Sequence, residues 1–323
     1  MGDLTIRRAG NADLPAIVDL LETTMARRSS EPYEEMFRWK HLENPFGQSP
    51  FWLACDGGRV VGFRTFLQWQ FRRDGALVRA VRAVDTATHP GYQGQGIFTK
   101  LTLAALVDMR ADGVKFVFNT PNEKSRPGYL KMGWHEVGRV PTYVRLGRLG
   151  ALARIVRSRV PADIWSLSSS CGVPALEALA HHSAVERLLQ SQPPIKGIAT
   201  NRSTAYLRWR YGFDALHYRA VVAHSGIEDG LVLFRLRRRG NCTEAAIDEV
   251  LVPGGDPAAM LKLAAYAARQ TGADYAIIIT QSALAKSWVR IPIGPILTFR
   301  SLDEESMPPL DAWALSLGDV ELF

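Results

Sequence analysis

Between Val84 and Trp134 the chain reads as strand, glycine-rich turn, helix and strand, and no other stretch constrains the fold so tightly. Val84 to Thr88 have the pattern of a strand end, and Pro90 stops it, because proline lacks the ladder N–H and fixes its own φ. Gly91-Tyr92-Gln93-Gly94-Gln95-Gly96 follows. Phe98, Leu101, Ala104, Ala105, Val107 and Met109 then recur at helical intervals, Asp112-Gly113 ends the run, and Val114 to Phe118 give a second apolar strand. Such a turn presents backbone N–H groups at a helix N-terminus, where a phosphate is stabilised. Two common phosphate binders are excluded by spacing. Gly94-x-Gly96 lacks the interval and the Gly-Lys-Ser/Thr ending of a P-loop. It is not G-x-G-x-x-G either, since Thr99 holds the last position and Phe116 and Val117 stand where a ribose-binding acid belongs.

Gln93-Gly94-Gln95-Gly96, preceded by Thr88-His89-Pro90, resembles the Q/R-x-x-G-x-G/A loop of the GNAT acyl-CoA N-acyltransferases, with Phe98 where the family has a third small residue. Asn122, Ser125, Tyr129, Gly133 and Trp134 resemble that family's pattern of Asn, small residue, Tyr, Gly and aromatic. Gly96 to Asn122 is 26 positions, room for one helix and one strand.

The resemblance implies an α/β (α+β) fold with a twisted mixed sheet covered by helices, and acetyl-CoA or another acyl-CoA as donor. It implies that Gln93, Gly94, Gln95, Gly96, Ile97 and Phe98 offer backbone N–H groups to the pyrophosphate. Ala87 and Thr88 would pair with the pantetheine arm, while the facing strand around Phe118 to Thr120 splays away to leave a thioester slot. Asn122 and Ser125 would lie beside the pantetheine; both also read as a helix cap. Tyr129 would protonate or hydrogen-bond the sulfur. Thirteen residues before Gln93, where the family commonly has a catalytic glutamate, the chain has Ala80. Asp85, alone in an apolar strand, stands as base (direct or through water), as amine anchor or as structural hydrogen-bonder. His89 is a second candidate base, and a water relay or an already neutral amine needs neither. Glu123 and Arg126 flank the helix of the site. The function implied is transfer of an acetyl group to a primary amine of a small molecule, an amino sugar or sugar nucleotide among the candidates, by direct attack in a ternary complex. A non-catalytic acyl-CoA-binding module and a protein lysine or N-terminal acetyltransferase are the alternatives.

The bulk properties agree with a soluble cytoplasmic enzyme, monomeric or homodimeric. A length of 323 residues suggests about two domains, and 47% hydrophobic with 22% charged residues is an ordinary globular balance. No apolar run reaches the roughly 18 residues of a membrane span, and the N-terminal stretch has no signal segment. Cys55, Cys171 and Cys242 are scattered without metal or disulfide spacing, and His181-His182 lack the interval of a helical metal pair, so no metal is expected. A net charge of +7 suits an anionic ligand. Nucleic acid is disfavoured, because the basic residues are dispersed; the densest group, Arg235 to Arg239, reads chiefly as a strand running into a solvated turn.

Taken in order, Leu4 to Arg8 alternate as a strand, a helix spans about Leu14 to Met25 and another about Pro32 to His41. Phe51 to Cys55 and Val60 to Leu67 flank Asp56-Gly57-Gly58, and Trp69 to Arg73 and Leu77 to Val84 flank Asp74-Gly75. The second half repeats this plan. Thr204-Ala-Tyr-Leu-Arg-Trp209-Arg echoes Tyr33-Glu-Glu-Met-Phe-Arg-Trp39-Lys. A strand ending at Pro253, a helix Pro257 to Arg269 and a strand Tyr275 to Ile279 match the elements around the glycine loop. A degenerate tandem duplication follows. The second copy has only Gly254-Gly255-Asp256-Pro257 for its loop, with Asp256 repelling a phosphate, and Gln281 to Ile291 contains no tyrosine. One active site is therefore expected, with a catalytic domain over 1–146, a helical linker region over 147–195 with helices Leu149 to Val156 and Pro174 to Gln190, and a degenerate domain over 196–323. The tail from Met307 is expected to pack as a closing strand.

Overall fold

The structure, a computed structural model, describes residues 4–25, 32–147, 160–194, 196–281, 287–303 and 306–321. It divides into two compact units. The first comprises Met1–Phe71, Leu77–Gly138 and Ile296–Pro308, and the second takes the remainder.

In the first unit β1 (Leu4–Arg8), β2 (Phe51–Asp56), β3 (Arg59–Arg73), β4 (Ala76–Thr88) and β5 (Phe116–Asn119) lie side by side, followed by the strand Ile296–Ser301 and then β6 (His135–Arg139). The two strands expected between Val60 and Arg73 are one, because Gln68 continues the alternation between them. Side chains on β2 and β3 alternate between two cores. Trp52, Ala54 and Val61 pack with Ile97, Leu101, Ala105 and Met109 of α3 (Ile97–Ala111), which follows α1 (Leu14–Met25) and α2 (Tyr33–His41) in the chain. Phe51, Leu53, Cys55 and Phe63 face Ile17, Leu20 and Leu21 of α1 and Phe37 of α2. Gly62 is required where β3 passes under α3, since a Cβ there would sit 2.5 Å from a methyl of Ile97.

The second sheet runs Val289–Ile291, Thr142–Leu146, Tyr275–Ile279, Cys242–Leu251, Gly226–Arg239, Arg219–Ala223 and Val173–Pro174, with Ser166–Leu167 beside Gly226–Arg239. The helix Pro257–Gln270 covers it, burying Leu261, Ala264 and Ala267 against Val232, Phe234, Ile247 and Ile278. Gly230 matches Gly62, for its Cβ would meet Leu263 of that helix.

In the strand orders just given, each sheet contains one strand from the other half of the chain, and the short strands Ile198–Thr200 and Trp313–Ala314 add to the first sheet through β3. Thr142–Leu146 pairs with Tyr275–Ile279 and Val289–Ile291, and Ile296–Ser301 pairs with β5. Cuts at 146 and 196 therefore differ from the observed division: residues 139–146 belong to the second unit and 296–308 to the first. Both exchanged strands hold the same place in their sheets, so either hydrophobic pattern suits either sheet. The described part of the expected linker is built into the second unit, with strands Ser166–Leu167 and Val173–Pro174 and helices Ala175–Leu179 and His182–Gln190. The helix expected over Leu149 to Val156 lies outside the described residues.

Two further readings are corrected. The run is a strand leading into a turn, with Arg238 exposed, but Arg235 and Arg237 are buried and paired, Arg235 with Glu321 at 2.8 Å and Arg237 with Glu244 at 2.5 Å, so these two belong to an internal ion-pair network rather than a solvated turn. The tail forms only a two-residue strand, Trp313–Ala314, parallel to Ile198–Thr200, before turning into the helix Leu317–Val320. Among the described residues no helix is long and apolar enough to cross a membrane, and no cluster of three or more His, Cys, Asp or Glu could hold a metal.

Candidate functional site

Parallel strands β4 and β5 pair over only three residues, from Ala80 opposite Phe116 to Arg82 opposite Phe118. β4 then continues to Thr88 beside β3 but without β5. Val84, Asp85, Thr86 and Thr88 remain half-buried rather than enclosed. Arg82 donates to Thr120 Oγ1 at 3.0 Å, joining the two limbs where they part. A wedge-shaped opening with unpaired backbone on one limb is what an extended arm needs in order to add to a strand edge.

The glycine loop lies at the end of the longer limb. Gly94 and Gly96 have φ of +77° and +74°, with open space where a Cβ would stand, and Gly96 is the N-cap of α3. No side chain caps this helix, so its first N–H groups are not claimed by a cap. His89 caps the preceding turn, its Nδ1 accepting from Gly91 N–H at 3.2 Å, and its Nε2 lies 2.9 Å from Arg59. Tyr92 donates to Asp56 at 2.8 Å, and Gln93 reaches the Thr88 carbonyl at 3.4 Å. Both neighbours are donors and a neutral imidazole accepts at one nitrogen only, so His89 makes one of these two bonds at a time.

Asn122 Oδ1 accepts from Lys124 and Ser125 N–H at 3.1 and 2.9 Å and from the Ser125 hydroxyl at 3.1 Å. This turn opens α4 (Arg126–Lys131), the helix that carries Tyr129. Tyr129 is buried, edge-on to Phe98 at 5.5 Å and to Trp134 at 5.1 Å. Phe98 is in the first turn of α3, so the phenol lies under the glycine loop. Phe98 is also bulky where a small residue was the expectation, and its ring forms one wall for Tyr129.

Asp85 points to the other face of β4. Its Oδ2 is 2.7 Å from Lys40 Nζ and 2.8 Å from His41 Nε2, and His41 Nδ1 is 2.9 Å from Ser49 Oγ. Burial alone would raise the Asp85 carboxyl, but the Lys40 charge and the His41 bond outweigh it and hold it far below the usual carboxylate range. His41 is wholly buried and its imidazole is pushed down by desolvation. An ionised Asp85 can only accept, so neutral His41 carries its proton on Nε2 and accepts from Ser49. Asp85 and Tyr129 lie on opposite sides of the sheet, and His89 joins neither.

A cleft of about 440 Å3 lies between α1 and α2, with an apolar floor including Val18, Phe37 and Leu42 and a rim of Asp19, Glu22, Glu34 and Arg38. The Phe37 ring lies 4.6 Å from that of His41, which links the cleft wall to Asp85. Three acids against one base favour a cationic visitor.

Lys40, His41 and Arg64 did not emerge from the sequence reading. The available signal was Arg64 inside the apolar run Val60-Val61-Gly62-Phe63-Arg64-Thr65-Phe66, where a charge needs a reason.

Residues 5–137 match the model of an acetyltransferase (GNAT) domain. No curated protein sequence matches the chain. Similar solved structures include a GCN5-related N-acetyltransferase from Anabaena variabilis, with 13% identity, a TM-score of 0.65, and coverage of 93% of this chain and 73% of that one. A protein from Enterococcus faecalis described as a probable N-acyltransferase has 13% identity, a TM-score of 0.62 and the same coverage. Eis1 from Mycobacterium abscessus has 15% identity and a TM-score of 0.58, covering 93% of this chain and 74% of that one.

Proposed function

We propose, from the premise that the first unit is an acetyltransferase domain of the GNAT family, that this chain moves an acetyl group from acetyl-CoA to a primary amine of a small molecule, an amino sugar or sugar nucleotide in our reading. The observation that carries this is the opening between β4 and β5 leading to an uncapped helix start, with Tyr129 beneath it.

Backbone N–H groups from Gly94 to Phe98 serve the pyrophosphate, while the Gln93 N–H is given to the Pro90 carbonyl at 3.4 Å, and the positive φ of Gly94 and Gly96 shapes the turn. The free edge of β4 at Ala87 and Thr88 pairs with the pantetheine arm, and Asn122 and Ser125 shape the turn beside it. Tyr129 gives its proton to the sulfur as the C–S bond breaks. Asp85 acts as a fixed negative charge. Paired with Lys40 and His41, it is too weak a base for an ammonium, so the amine proton leaves through water in the opening. Asp19, Glu22 and Glu34 gather the cationic acceptor over Phe37. Effective concentration within the ternary complex supplies most of the acceleration.

Calorimetric titration with acetyl-CoA, then a free-thiol assay across amino sugars, sugar nucleotides, other small amines and a lysine peptide, tests this. Binding with amine-dependent thiol release is expected. Binding without release for any amine would make the chain an acyl-CoA-binding module, and folded protein that binds no acyl-CoA would end the acyltransferase reading.

A further inference from the structure

We infer that Arg64 is a positioning residue for the acyl-transfer step: it holds the Tyr129 phenol oxygen so that the phenol proton is aimed at the leaving sulfur, and it stabilises the phenolate left behind. The inference rests on the reading of Tyr129 as the proton donor.

Arg64 is fully buried in the middle of β3. Taking a guanidinium out of water costs several kcal/mol, and a carboxylate partner usually offsets this. Among the described residues Arg64 has none. Its Nη1 donates to the Val84 carbonyl at 2.8 Å and its Nη2 to the Tyr129 hydroxyl at 2.9 Å, while Nε has no hydrogen-bond partner. The rings of Phe66, Phe98 and Tyr129 lie 4.3, 5.4 and 5.6 Å from its central carbon. These are cation–π distances and offset part of that cost, yet among the described residues no carboxylate neutralises the charge.

The second unit offers a contrast. Val60-Val61-Gly62-Phe63-Arg64 reads against Leu231-Val232-Leu233-Phe234-Arg235, and buried Arg235 is paired with Glu321 at 2.8 Å, whereas Arg64 meets a phenol in place of a carboxylate. The second unit also lacks a counterpart of Tyr129.

Guanidinium has donors and no acceptor. The Tyr129 oxygen therefore accepts from Arg64, and its own hydrogen must point to some other acceptor. In the transfer step the amine nitrogen bonds to the acetyl carbon, the C–S bond breaks with its electron pair on sulfur, and the Tyr129 proton passes to sulfur to give the thiol. The phenolate then regains the proton shed by the amine, so one proton moves in net from nitrogen to sulfur. While the oxygen is negative, the Arg64 bond becomes charge-assisted in a dry setting, where such bonds are strongest. Val84 is just beyond the point where β4 and β5 part, so the same guanidinium ties the phenol to the mouth of the opening.

The test is a double-mutant cycle with Arg64→Met, Arg64→Lys and Tyr129→Phe, reading kcat and KM for acetyl-CoA with an accepted amine, after a thermal melt of each variant. Arg64→Met is expected to lower kcat about tenfold to a hundredfold with KM changed less than about twofold. In the Tyr129→Phe background it should lower kcat less than about threefold further, because residues acting as a unit are not additive. Arg64→Lys, which keeps a buried cation, should recover part of the loss, and it carries the cycle if the methionine variant does not fold. Equal losses in both backgrounds, or unchanged kcat in Arg64→Met, would overturn the role of Arg64 while leaving acyl transfer intact. Full activity of Tyr129→Phe would instead remove the premise.

Discussion

Asp85 and Asp248 stand at matching points of the two sheets, each five residues before the proline that closes its strand. Lys40 and His41, which follow Trp39, are the partners of Asp85, and Arg210 and Tyr211 hold the matching positions after Trp209. Their states are opposite. Asp85 is bonded to both partners and held low, whereas neither oxygen of buried Asp248 has a hydrogen-bond partner, and burial pushes it up to about 6 although Arg210 and Arg235 oppose this. The reason lies in the tail. Arg210 donates to Gly318 and Glu321 carbonyls and to Tyr218, Asp319 holds Arg202 at 2.6 Å, Ser316 donates to Glu249, and Gln281 reaches the Leu310 and Trp313 carbonyls. Glu249 and Gln281 are on the two limbs that part after Ile247 and Ile278. The second opening is thus closed by its own chain, and Asp248 to Leu251 are all buried there while Asp85, Thr86 and Thr88 are not. The two sheets share a strand plan, and polar groups that border a gap in the first fill the matching place in the second.

The largest contrast is expected at the loops. Gly94 and Gly254 both have positive φ, +77° and +64°, with open space at the Cβ position, so an aspartate costs each backbone about the same. Gly94→Asp puts a carboxylate at an uncapped helix start and is expected to weaken acetyl-CoA binding about a hundredfold, whereas Gly254→Asp leaves it within about twofold. Calorimetry on both variants decides; equal losses would show that both loops bind. A smaller effect concerns the plug. Asp319→Ala leaves buried Arg202 with Glu249 as its one carboxylate partner among the described residues, and a loss of about 3 kcal/mol in urea unfolding is expected. Acetyl-CoA stoichiometry should stay at one per chain, because Asp256 already caps the helix Pro257–Gln270 through Ala258 and Ala259 N–H at 3.3 and 2.9 Å. A stoichiometry of two would mean that the tail was the sole difference between the units.

Local chemistry was legible where it is written in consecutive residues. The strand Leu4–Arg8, the helix Leu14–Met25, the loop before Ile97 and the strand Tyr275–Ile279 follow from periodicity and punctuation, as does the loss of the second loop. The exchange of Thr142–Leu146 and Ile296–Ser301 was not legible, since strand pairing is a long-range choice and two similar edges compete for two similar strands. Arg235 and Arg237 read as solvated because their partners, Glu244 and Glu321, come from a neighbouring strand and from the tail. Asp85 was legible as a charge that needed a partner; that Lys40 and His41 supply it depends on the placement of α2.

The two aspartates offer the finest test, because their shifts have opposite sign. Asp85 is held below its ordinary 3.8, so its contribution to stability is fully present above pH 3.8 and is lost as pH falls below that value. Asp85→Asn should therefore be less stable than wild type at pH 7, with the gap narrowing on acidification below about pH 4. Asp248 is raised from 3.8 to about 6, so the folded protein binds the extra proton between those values. Its ionisation is then a cost that is absent below pH 3.8, grows through that window and is complete above about 6. The shift already nets burial against the attraction of Arg210 and Arg235. Asp248→Asn is accordingly expected to match wild type near pH 4 and to exceed it by about 3 kcal/mol at pH 7. Urea midpoints of the three proteins between pH 3 and 8 give the answer. If both substitutions destabilise at pH 7 by similar amounts, Asp248 is paired as Asp85 is, and the bonds of Arg210 to the tail do not deprive Asp248 of a partner.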